Sequence, residues 1–380
     1  MRAKHLYELH SAAVRPLLKL RPLVGKAVNR LALRWSLVPR LAQRAEQRLL
    51  RSRAVRVILE RLRPRLLVSS YPVNWLEALF VLEAQRLGIP TVGQLLSWDN
   101  ISCKGRFAAL PDRFISWGPV MSDELQRYYG VTPDRINECG VAHFDAHCDP
   151  GNRLQAREVL AGLGLCPDDP YLFFGMSARF FCPHELDVVE WLAGACEPGA
   201  FGPRMQLVVR PHPQNIRGSM ADGETVERLR TMAGPRVAID LPQVVSDRLP
   251  WDLEERDLRK LAALIAGCAV SLNSGSTLSI DSVVQDRPVV LPIFDAGHEL
   301  PWWRSVRRVV EFPHLQKMLS FGGVAVVRSF AELEQQLGCY LADPERDATG
   351  RRRLRAAECG PCDGQASARV AEVLARRFAG

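Results

Sequence analysis

Two side chains that can bind phosphate stand on either side of a proline in the segment Arg210-Pro-His-Pro213. The prolines restrict the backbone and so fix the directions of Arg210 and His212 after the apolar residues 205–209. A guanidinium binds phosphate through two parallel hydrogen bonds, and an imidazole donates to a phosphate or to a developing oxyanion. A single histidine after a strand is often structural, but the rigid frame favours catalysis by His212 and donor-phosphate binding by Arg210.

A second segment, Asn273-Ser-Gly-Ser-Thr277, follows another apolar run and has the composition of an anion-binding turn. Its glycine lets a ligand approach the backbone closely, and the helix that follows presents free N–H groups at its N-terminus. The hydroxyl groups add donors, although serine and threonine are also ordinary helix caps. We therefore predict donor-phosphate binding by Ser274, Gly275, Ser276 and Thr277, with a structural turn as the alternative.

A third cluster, Ser97-Trp-Asp-Asn100, comes directly after a predicted strand and is followed by Lys104. Trp98 offers a flat apolar face, Asn100 a fixed amide and Lys104 a cation, so we predict that they bind the acceptor or a sugar. Asp99 is the candidate general base. Ordinary turn chemistry explains Asp-Asn after a strand, but it does not require the tryptophan.

Two further acids are weaker candidates for binding the acceptor or the sugar. Glu185 follows the segment Gly175-Met-Ser-Ala-Arg179 after another predicted strand. Asp281 lies one turn into the helix after the serine-rich turn, where it orients the loop, contacts a sugar or lies at the surface. The loop of residues 294–299 also follows a strand. Only their position in the sequence favours these residues.

The elements that carry these clusters alternate between apolar strands and helices. The first series predicts strands at 66–70, 91–96, 112–117 and 135–140, with helices at 74–86 and 120–129. The second predicts strands at 171–175, 205–210, 236–240, 268–272 and 288–293, with helices at 153–162, 184–195, 223–232, 255–266 and 277–285. Parallel strands that alternate with helices form doubly wound sheets, which bind ligands at the carboxyl ends of their strands.

We therefore predict an α/β protein with a basic helical arm at residues 1–62. A Rossmann-like acceptor domain follows at 63–150, and a Rossmann-like nucleotide-donor domain with C-terminal helices at 151–380. The length of 380 residues suits two domains, and 47% hydrophobic with 24% charged residues excludes a disordered or fibrous protein. The uncharged stretch 261–280 is rich in glycine, serine and threonine, so we expect a helix end, a strand and a turn rather than a membrane span.

Residues 1–65 hold 17 lysines or arginines and three acids, so the net charge of +8 originates in this segment. Several arginines share an arc beside an apolar stripe, although Pro39 interrupts the helix. Such an arm suits an anionic membrane surface, or else it packs on the next domain as a solvated helix. No aromatic and basic interleaving supports nucleic acid as a partner. Without a signal peptide, we expect a cytoplasmic protein that binds the inner membrane face at most peripherally.

Ten cysteines are scattered along the chain without a secretion signal, which favours reduced and mostly buried thiols. Cys359-Gly-Pro-Cys362 has the spacing of a redox pair. No strand is predicted before it, however, and no second pair of cysteines completes a zinc site. We therefore expect neither a redox nor a metal role for it.

The second domain resembles the GT-B superfamily of nucleotide-sugar glycosyltransferases, because the Arg-Pro-His-Pro and serine-rich segments each close a strand at this spacing. Within it, the chain is similar to bacterial surface-polysaccharide enzymes, including CDP-glycerol glycerophosphotransferases and capsule-type transferases. The Ser-Trp-Asp-Asn segment, Gly140-Val-Ala-His-Phe-Asp145 and Asp363-Gly-Gln-Ala-Ser-Ala-Arg369 extend the resemblance. It covers about residues 64–375.

The resemblance implies two Rossmann-like domains facing a cleft, with a nucleotide-sugar donor in the second and a saccharide or lipid-linked acceptor at the first. It implies that Arg210, His212 and residues 274–277 meet the donor phosphates, with no metal ion and no cofactor. The implied reaction transfers the sugar to an acceptor hydroxyl in surface polysaccharide or glycolipid synthesis. The first domain lacks the His-Gly pair of the glycerophosphotransferases, which leaves Asp99 as the candidate base.

Two alternatives stay open. A CDP-glycerol-type glycerophosphotransferase or a sugar epimerase on the same fold keeps the phosphate site but changes the acceptor and the product. A non-catalytic scaffold at a membrane surface keeps the fold and binds no nucleotide sugar. The two phosphate-binding segments argue against the scaffold.

Overall fold

The chain divides into two compact units, each with its own parallel sheet. The computed structural model describes residue 45 and residues 47–376, apart from 198, 218–220, 247 and 248. One unit comprises residues 1–140 and 368–380, and the other residues 141–367.

The first unit is built on four parallel strands in the spatial order β1-β2-β3-β4. These are β1 (Leu67–Ser69), β2 (Thr91–Gln94), β3 (Arg113–Ser116) and β4 (Ile136–Glu138). Helix α1 (Arg53–Leu62) precedes β1, α2 (Trp75–Arg86) joins β1 to β2, and α3 (Pro119–Tyr129) joins β3 to β4. Helix α2 begins where the Asn74 side chain accepts a hydrogen bond from the Leu76 N–H, the usual role of an N-cap asparagine.

Helix α1 is the main part of the predicted basic arm that lies among the described residues. Its Val55 and Leu59 are buried against Leu79 and Ala84 of α2, so this stretch packs as a structural helix. Residues 1–44 of the arm lie outside the described residues. The prediction for their partner therefore stays a prediction.

The second unit contains a six-stranded parallel sheet in the order β12-β11-β10-β5-β6-β7. Its strands are β5 (Tyr171–Gly175), β6 (Gln206–Arg210), β7 (Val237–Ile239), β10 (Val270–Leu272), β11 (Val289–Pro292) and β12 (Ala325–Val327). A separate antiparallel pair, β8 (Val244–Ser246) and β9 (Leu249–Leu253), lies between β7 and β10 in the chain.

Helices connect these strands and follow the last of them. In chain order they are α4 (Asn152–Gly162), α5 (Glu185–Cys196), α6 (Pro213–Ile216), α7 (Gly223–Met232), α8 (Glu255–Gly267), α9 (Leu278–Val284), α10 (Pro313–Ser320), α11 (Phe330–Ala342), α12 (Ala348–Cys359) and α13 (Ala366–Arg376). Three 3₁₀ segments accompany them at Pro133–Arg135, Ala142–Cys148 and Val306–Glu311.

The central strands of this sheet are apolar without interruption because helices cover both faces. In β5, Leu172 and Phe174 belong to one apolar core, and Tyr171 and Phe173 belong to the other. The side chains of a strand alternate between its faces, so a continuous apolar run is what a doubly covered parallel strand requires.

The strand order reverses direction between β5 and β10. Numbered within this unit, the order runs 3-2-1-4-5-6 from β7 to β12, which is the Rossmann arrangement. Chain connections leave β5 and β10 toward opposite sides, so a crevice opens at their carboxyl ends. The predicted doubly wound α/β architecture is confirmed here, and this crevice is where a ligand is expected.

The units divide ten residues before the predicted domain boundary at 150. The reason is that the 3₁₀ segment Ala142–Cys148 packs on α8 and α9 of the second unit. At the other end of the chain, the Arg369 Nε donates to the Cys139 carbonyl oxygen over 2.8 Å, which places the end of α13 with the first unit. In the described parts of the chain, no helix combines the length and apolarity needed to cross a membrane.

Candidate active site

The loops after β5, β6 and β10 meet at one edge of the second sheet. Gly175 at the end of β5 is level with Arg210 at the end of β6, and Phe174 is level with Leu272 at the end of β10. Two residues after each of these strand ends lie Ser177, His212 and Ser274, respectively. The crevice at the switch of strand order therefore collects the two predicted phosphate-binding segments.

Glu185 joins two of these loops through its carboxylate. Its Oε2 accepts a hydrogen bond from the Ser177 N–H over 2.7 Å, and its Oε1 accepts a short one from the Ser274 hydroxyl. The side chain is buried, and this burial raises the pKa of Glu185 to about 7 despite both hydrogen bonds. A carboxyl group at the crevice is thus poised to change its charge near neutral pH.

Asn215 ties the β6 loop to the β5 loop and was not singled out by the sequence. Its Nδ2 donates to the Ser177 carbonyl oxygen over 2.9 Å, and its Oδ1 accepts from the Arg179 N–H over 3.1 Å. It is buried in α6, two residues after the second proline of Arg210-Pro-His-Pro213. The sequence held one signal for this role, which is the position of Asn215 two residues after the motif. An amide with two donors and two acceptor lone pairs suits a junction of loops.

His212 is the N-cap of α6 and is held in one tautomer. Its Nδ1 accepts a hydrogen bond from the Gln214 N–H over 3.2 Å. Burial lowers the pKa of His212 to about 4, so the imidazole is neutral at physiological pH. With Nδ1 acting as the acceptor, the ring proton resides on Nε2. His212 therefore offers a neutral N–H donor at the crevice.

Asn273 organises the serine-rich turn, because its side-chain oxygen accepts the N–H hydrogen bonds that a bound anion was expected to accept. The Asn273 Oδ1 accepts from the Gly275 N–H over 3.0 Å and from the Ser276 N–H over 2.9 Å. These two amides are therefore occupied within the loop, contrary to the expectation that they are free. Ser276 and Thr277 are half-buried beside them. The Ser276 hydroxyl also donates to the Asn273 Oδ1, over 3.4 Å, and the Ser274 hydroxyl donates to Glu185.

Gly275 is required by its own backbone and by the core beneath it. Its φ of +84° lies in the left-handed region, and a Cβ there would meet Leu315 Cδ1 at 2.6 Å and Val309 Cγ1 at 2.9 Å. The space that a side chain at position 275 would need is thus filled by these two side chains. The structure explains Gly275 by loop geometry, and its contact with a donor phosphate stays a prediction.

We predict that Gly275→Ala lowers the free energy of unfolding by roughly 2–4 kcal/mol, since it adds both backbone strain and overlap with Leu315 and Val309. The matched control is Gly164→Ala, where φ is +80° but nothing lies within 4 Å of the added Cβ. Urea denaturation of both variants measures the difference. Equal destabilisation would show that the contacts with Leu315 and Val309 contribute nothing.

Arg210 has a structural environment rather than an open one. Its two terminal nitrogens form short ion pairs with Asp240 and Asp257, and its side chain is only 5% exposed. The Lys260 Nζ lies 2.5 Å from Asp240 Oδ1 and 3.3 Å from Asp257 Oδ1, so two cations face two carboxylates. The guanidinium is occupied in this network. Arg210 was predicted to bind phosphate directly. The structure corrects this, because Arg210 instead fixes the end of β6.

Arg210→Met is expected to reduce stability by roughly 3–5 kcal/mol, because it leaves two buried carboxylates with a single cation. Arg204→Met is the control, since that side chain is 71% exposed and its pair with Asp169 spans 3.4 Å; its effect should stay below about 1 kcal/mol. Thermal unfolding at several pH values measures both. A stable Arg210→Met protein would contradict the structural role.

Asp281 is paired with a histidine within the second unit. Its Oδ1 lies 3.0 Å from His147 Nε2, and the His147 Nδ1 lies 3.1 Å from Gln285 Nε2. Both side chains of the Asp281–His147 pair are largely buried. Of the roles open to Asp281, the structure favours holding α9 on the 3₁₀ segment Ala142–Cys148 over sugar binding.

The Ser-Trp-Asp-Asn cluster lies in the first unit, after β2. Trp98 is 4% exposed and Asn100 1%, so neither presents a free face, which corrects the prediction that they contact an acceptor or sugar. The Asp99 Oδ1 accepts from the Ser97 hydroxyl over 2.7 Å, and its Oδ2 lies 3.0 Å from the Lys104 Nζ. Burial opposes the charge of Lys104, yet the Asp99 carboxylate outweighs it and raises the pKa of Lys104. Asp99 and Lys104 are thus an ion pair near the surface.

The loop after β11 borders a cavity of about 450 Å³ in the second unit. Basic groups of His298, Arg307 and Arg328 line it together with the Phe294 ring. Asp295 is buried beneath and accepts from the Val306 N–H over 3.0 Å, so this acid holds the loop. The carboxylates of Asp295 and Glu299 also line the cavity, so its walls carry charges of both signs.

Among the described residues, His184, Asp187 and His298 are the one group that could hold a metal ion. Both rings bond to the same oxygen, Asp187 Oδ2, at 3.1 and 2.9 Å, and they stack with centroids 3.6 Å apart. Arg228 lies 2.7 Å from the other oxygen of Asp187. Nearly parallel rings cannot both direct an in-plane lone pair at one ion, so the arrangement fits hydrogen bonds to Asp187 rather than coordination.

Comparison with solved structures identifies the fold. UDP-GlcNAc 2-epimerase from Neisseria meningitidis bound to UDP-GlcNAc is 13% identical, covers 85% of this chain and 79% of its own, and superposes with a TM-score of 0.54. The S. aureus MnaA–UDP structure is 13% identical, with 86% and 78% covered and a TM-score of 0.53. The wall teichoic acid polymerase TagF soaked with CDPG is 11% identical, with 83% and 72% covered and a TM-score of 0.52.

These similar structures are GT-B enzymes, and the chain accordingly has the GT-B fold, as its sequence predicted. No protein-family model matches the chain, and no curated protein is significantly similar to it in sequence. At this level of identity the likeness concerns the fold. The chemistry has to be argued from the crevice.

Proposed function

We propose that this protein is a metal-independent GT-B glycosyltransferase that moves a sugar from a nucleotide-sugar donor to a hydroxyl acceptor in surface polysaccharide or glycolipid synthesis. One observation carries the proposal: the loops after β5, β6 and β10 end at the switch point of a Rossmann sheet, where His212 is fixed by the backbone and buried Glu185 joins two of the loops. Perturbed titratable groups at such a crevice are typical of an active site.

The donor diphosphate is proposed to bind between the loop that carries His212 and the serine-rich turn. The His212 Nε2–H donates to the phosphate and stabilises the negative charge that grows as the sugar leaves, as a preorganised neutral donor does in a site shielded from water. The hydroxyl groups of Ser274, Ser276 and Thr277 supply further donors. The Asn273 Nδ2, which has no hydrogen-bond partner within the described part of the chain, is a spare donor of the same loop.

Glu185 is proposed to control one of these donors as a positioning residue. While its carboxylate is ionised, the Ser274 hydroxyl proton is committed to Glu185 and is not available to a phosphate. Once Glu185 is protonated, its own proton can bond to the Ser274 oxygen, and the serine proton becomes free to bind the ligand. Donor binding and protonation of Glu185 are therefore coupled.

Asp99 remains the proposed base that takes the proton from the acceptor hydroxyl. The Asp99 carboxylate can accept that proton, and the Lys104 Nζ lies 3.0 Å from its Oδ2. Displacement at the anomeric carbon then breaks the bond to the diphosphate and forms the bond to the acceptor oxygen. Trp98 and Asn100 contribute by holding the loop that carries Asp99.

We predict that EDTA leaves turnover unchanged, because helix-loop donors rather than a metal ion stabilise the leaving diphosphate in this proposal. Assays with and without a chelator, followed by addition of Mg²⁺, Mn²⁺ or Zn²⁺, provide the measurement. A loss of activity that one of these ions restores would contradict metal independence.

A related chemistry is the second candidate, and the comparisons favour keeping it. The similar structures include a UDP-GlcNAc 2-epimerase bound to UDP-GlcNAc and a wall teichoic acid polymerase soaked with CDPG. A sugar epimerase or a CDP-glycerol-type glycerophosphotransferase would use the same phosphate donors. Its product would be an isomeric nucleotide sugar or a phosphodiester.

A thermal-shift screen against UDP-, GDP-, CMP- and CDP-activated sugars and CDP-glycerol, followed by mass analysis of products, tests both candidates. Stabilisation by one nucleotide class with release of its nucleoside phosphate supports transfer. Isomerisation without release supports the epimerase. A folded protein that no nucleotide stabilises would refute both and favour the scaffold.

We propose that residues 1–44 hold the protein at the cytoplasmic face of a membrane near a lipid-linked acceptor. The ten lysines and arginines in this segment, against one acid, support binding to anionic lipid. Cosedimentation with anionic vesicles, compared with the chain lacking residues 1–44, tests this. Because α1 is part of the first unit, the deletion stops before it.

A further inference from the structure

Cys359-Gly-Pro-Cys362 forms a thiol pair at the end of α12, outside the crevice. Cys359 is the last residue of the helix and is fully buried, whereas Cys362 in the following turn is half-buried. The Cys362 thiol donates a weak hydrogen bond to the Gly360 carbonyl oxygen over 3.8 Å, within the turn that joins the two cysteines. Their spacing within one turn and their unequal burial are the arrangement expected of one sulfur that meets a reagent and one that lies behind it.

We propose that Cys359 and Cys362 are a redox-active dithiol, in which Cys362 attacks a low-molecular-weight disulfide and Cys359 resolves the mixed disulfide. This reverses the expectation from the sequence, where no strand or partner pair marked the motif as functional. The inference does not depend on the proposed glycosyltransferase activity.

Arg355 marks Cys362 as the attacking sulfur. Its side chain, one turn before the end of α12, lies beside Cys362, since its terminal nitrogen donates to the Cys362 carbonyl oxygen over 3.0 Å. Cys359 and Arg355 lower the pKa of Cys362 below that of an ordinary thiol, against the effect of burial. Cys362 and burial raise the pKa of Cys359. Only Cys362 is then a thiolate near neutral pH.

The exchange balances in two steps. The Cys362 thiolate attacks one sulfur of the small disulfide and expels the other as a thiolate, which takes the proton of Cys359. The Cys359 thiolate then attacks the Cys362 sulfur, forms the intramolecular disulfide and expels a second small thiolate. The protein loses two electrons to the small disulfide, which is reduced to two thiols.

The dithiol lies behind the serine-rich turn. Helix α12 packs against α9, the helix that follows residues 273–277, and Asp281 of α9 acts electrostatically on Cys359. A third cysteine, Cys148, lies close to the same turn, since a Cβ added to Gly364 would be 3.5 Å from the Cys148 Cβ. Cys359 is assigned as the resolving thiol because it lies only three residues before Cys362.

The first test measures alkylation of the reduced full-length protein by iodoacetamide at pH 7, followed by peptide mass analysis. Cys362 should react roughly tenfold faster than Cys166, an exposed thiol that serves as the internal reference. The protein is then exposed to oxidised glutathione, alkylated and digested. The peptide with Cys359 and Cys362 should lose two hydrogen atoms and resist alkylation until a reductant is added.

Cys362→Ser should abolish this oxidation while Cys166→Ser leaves it intact, with thermal melting used to confirm that both variants are folded. Reaction of Cys362 no faster than that of Cys166 would overturn the proposal. A stable glutathione adduct on Cys362, or a bond between Cys148 and Cys362, would overturn the assignment of Cys359 as the resolving thiol.

Discussion

His212→Ala is expected to reduce turnover by roughly 100-fold to 1000-fold, the range found when one preorganised donor to a developing oxyanion is removed. The reason lies in the tautomer: the Gln214 N–H occupies Nδ1, and the proton on Nε2 is left for the ligand. The loss should fall mainly on kcat, because a neutral donor gains most when charge builds up on the leaving diphosphate. Steady-state kinetics with the donor identified by the thermal screen measures it.

The alanine variant also removes the N-cap of α6, worth about 1 kcal/mol, so a second variant is needed. His212→Asn keeps the cap, because asparagine can accept from the Gln214 N–H, but its amide is too short to reach where Nε2 does. We expect it to be as stable as the unmodified protein and as inactive as His212→Ala. Turnover within about twofold of normal in His212→Asn would remove His212 from the reaction.

Glu185→Gln is expected to make the affinity for the donor independent of pH. In the unmodified protein, affinity for the donor should fall by about tenfold per pH unit above pH 7, since binding favours the protonated form of Glu185. In the variant, the carbonyl of the introduced glutamine can accept from the Ser177 N–H, and its NH₂ can donate to the Ser274 oxygen, which reproduces the protonated state. Donor titrations at pH 6, 7, 8 and 9 should therefore give a constant affinity.

The same substitution should stabilise the protein at alkaline pH. Folding raises the pKa of Glu185 from 4.5 to about 7, so the native state holds this proton more tightly, and stability falls as pH rises between those values. Glu185→Gln removes that loss, which is on the order of 3 kcal/mol above pH 7. Glu158→Gln, at an exposed glutamate of α4, is the control. A variant with unchanged stability at pH 9 would show that Glu185 is not strained by burial.

Alternating apolar runs and helical spacing predicted the four strands of the first sheet and five of the six strands of the second. The sixth, β12, was not predicted. The strand predicted at 171–175 is β5, and those at 205–210 and 268–272 differ from β6 and β10 by one or two residues. These strands are buried on both faces, so their sequence is dictated by the core. The hairpin β8–β9 was missed, because short strands outside the main sheet carry little apolar signal.

Roles of polar residues were harder to predict, because they depend on partners far away in the sequence. Arg210 has the chemistry to bind phosphate, but Asp240 and Asp257, 30 and 47 residues later, occupy its guanidinium. Trp98 follows a strand as a ligand-binding residue would, yet it is buried. Glu185 was a weak candidate by position, and its contact with Ser274, 89 residues away, makes it central.

The division of the chain shows the same limit. Asp145 accepts hydrogen bonds from the N–H groups of Ala366 and Ser367 at 2.9 and 2.8 Å, so Gly140-Val-Ala-His-Phe-Asp145 and the Asp363 segment are joined through residues of the second unit. Both segments carry the resemblance to one superfamily. Their contact could not be predicted from spacing, since over 200 residues separate them.

Isothermal titration with UDP and CDP, using the unmodified protein, His212→Asn and Lys104→Met, shows which unit binds the diphosphate. If the diphosphate binds at the β5–β10 crevice, binding is lost or weakened at least roughly tenfold in His212→Asn and retained in Lys104→Met. Full binding by His212→Asn together with loss in Lys104→Met would instead locate the nucleotide at the Asp99–Lys104 cluster of the first unit and refute the proposed donor site.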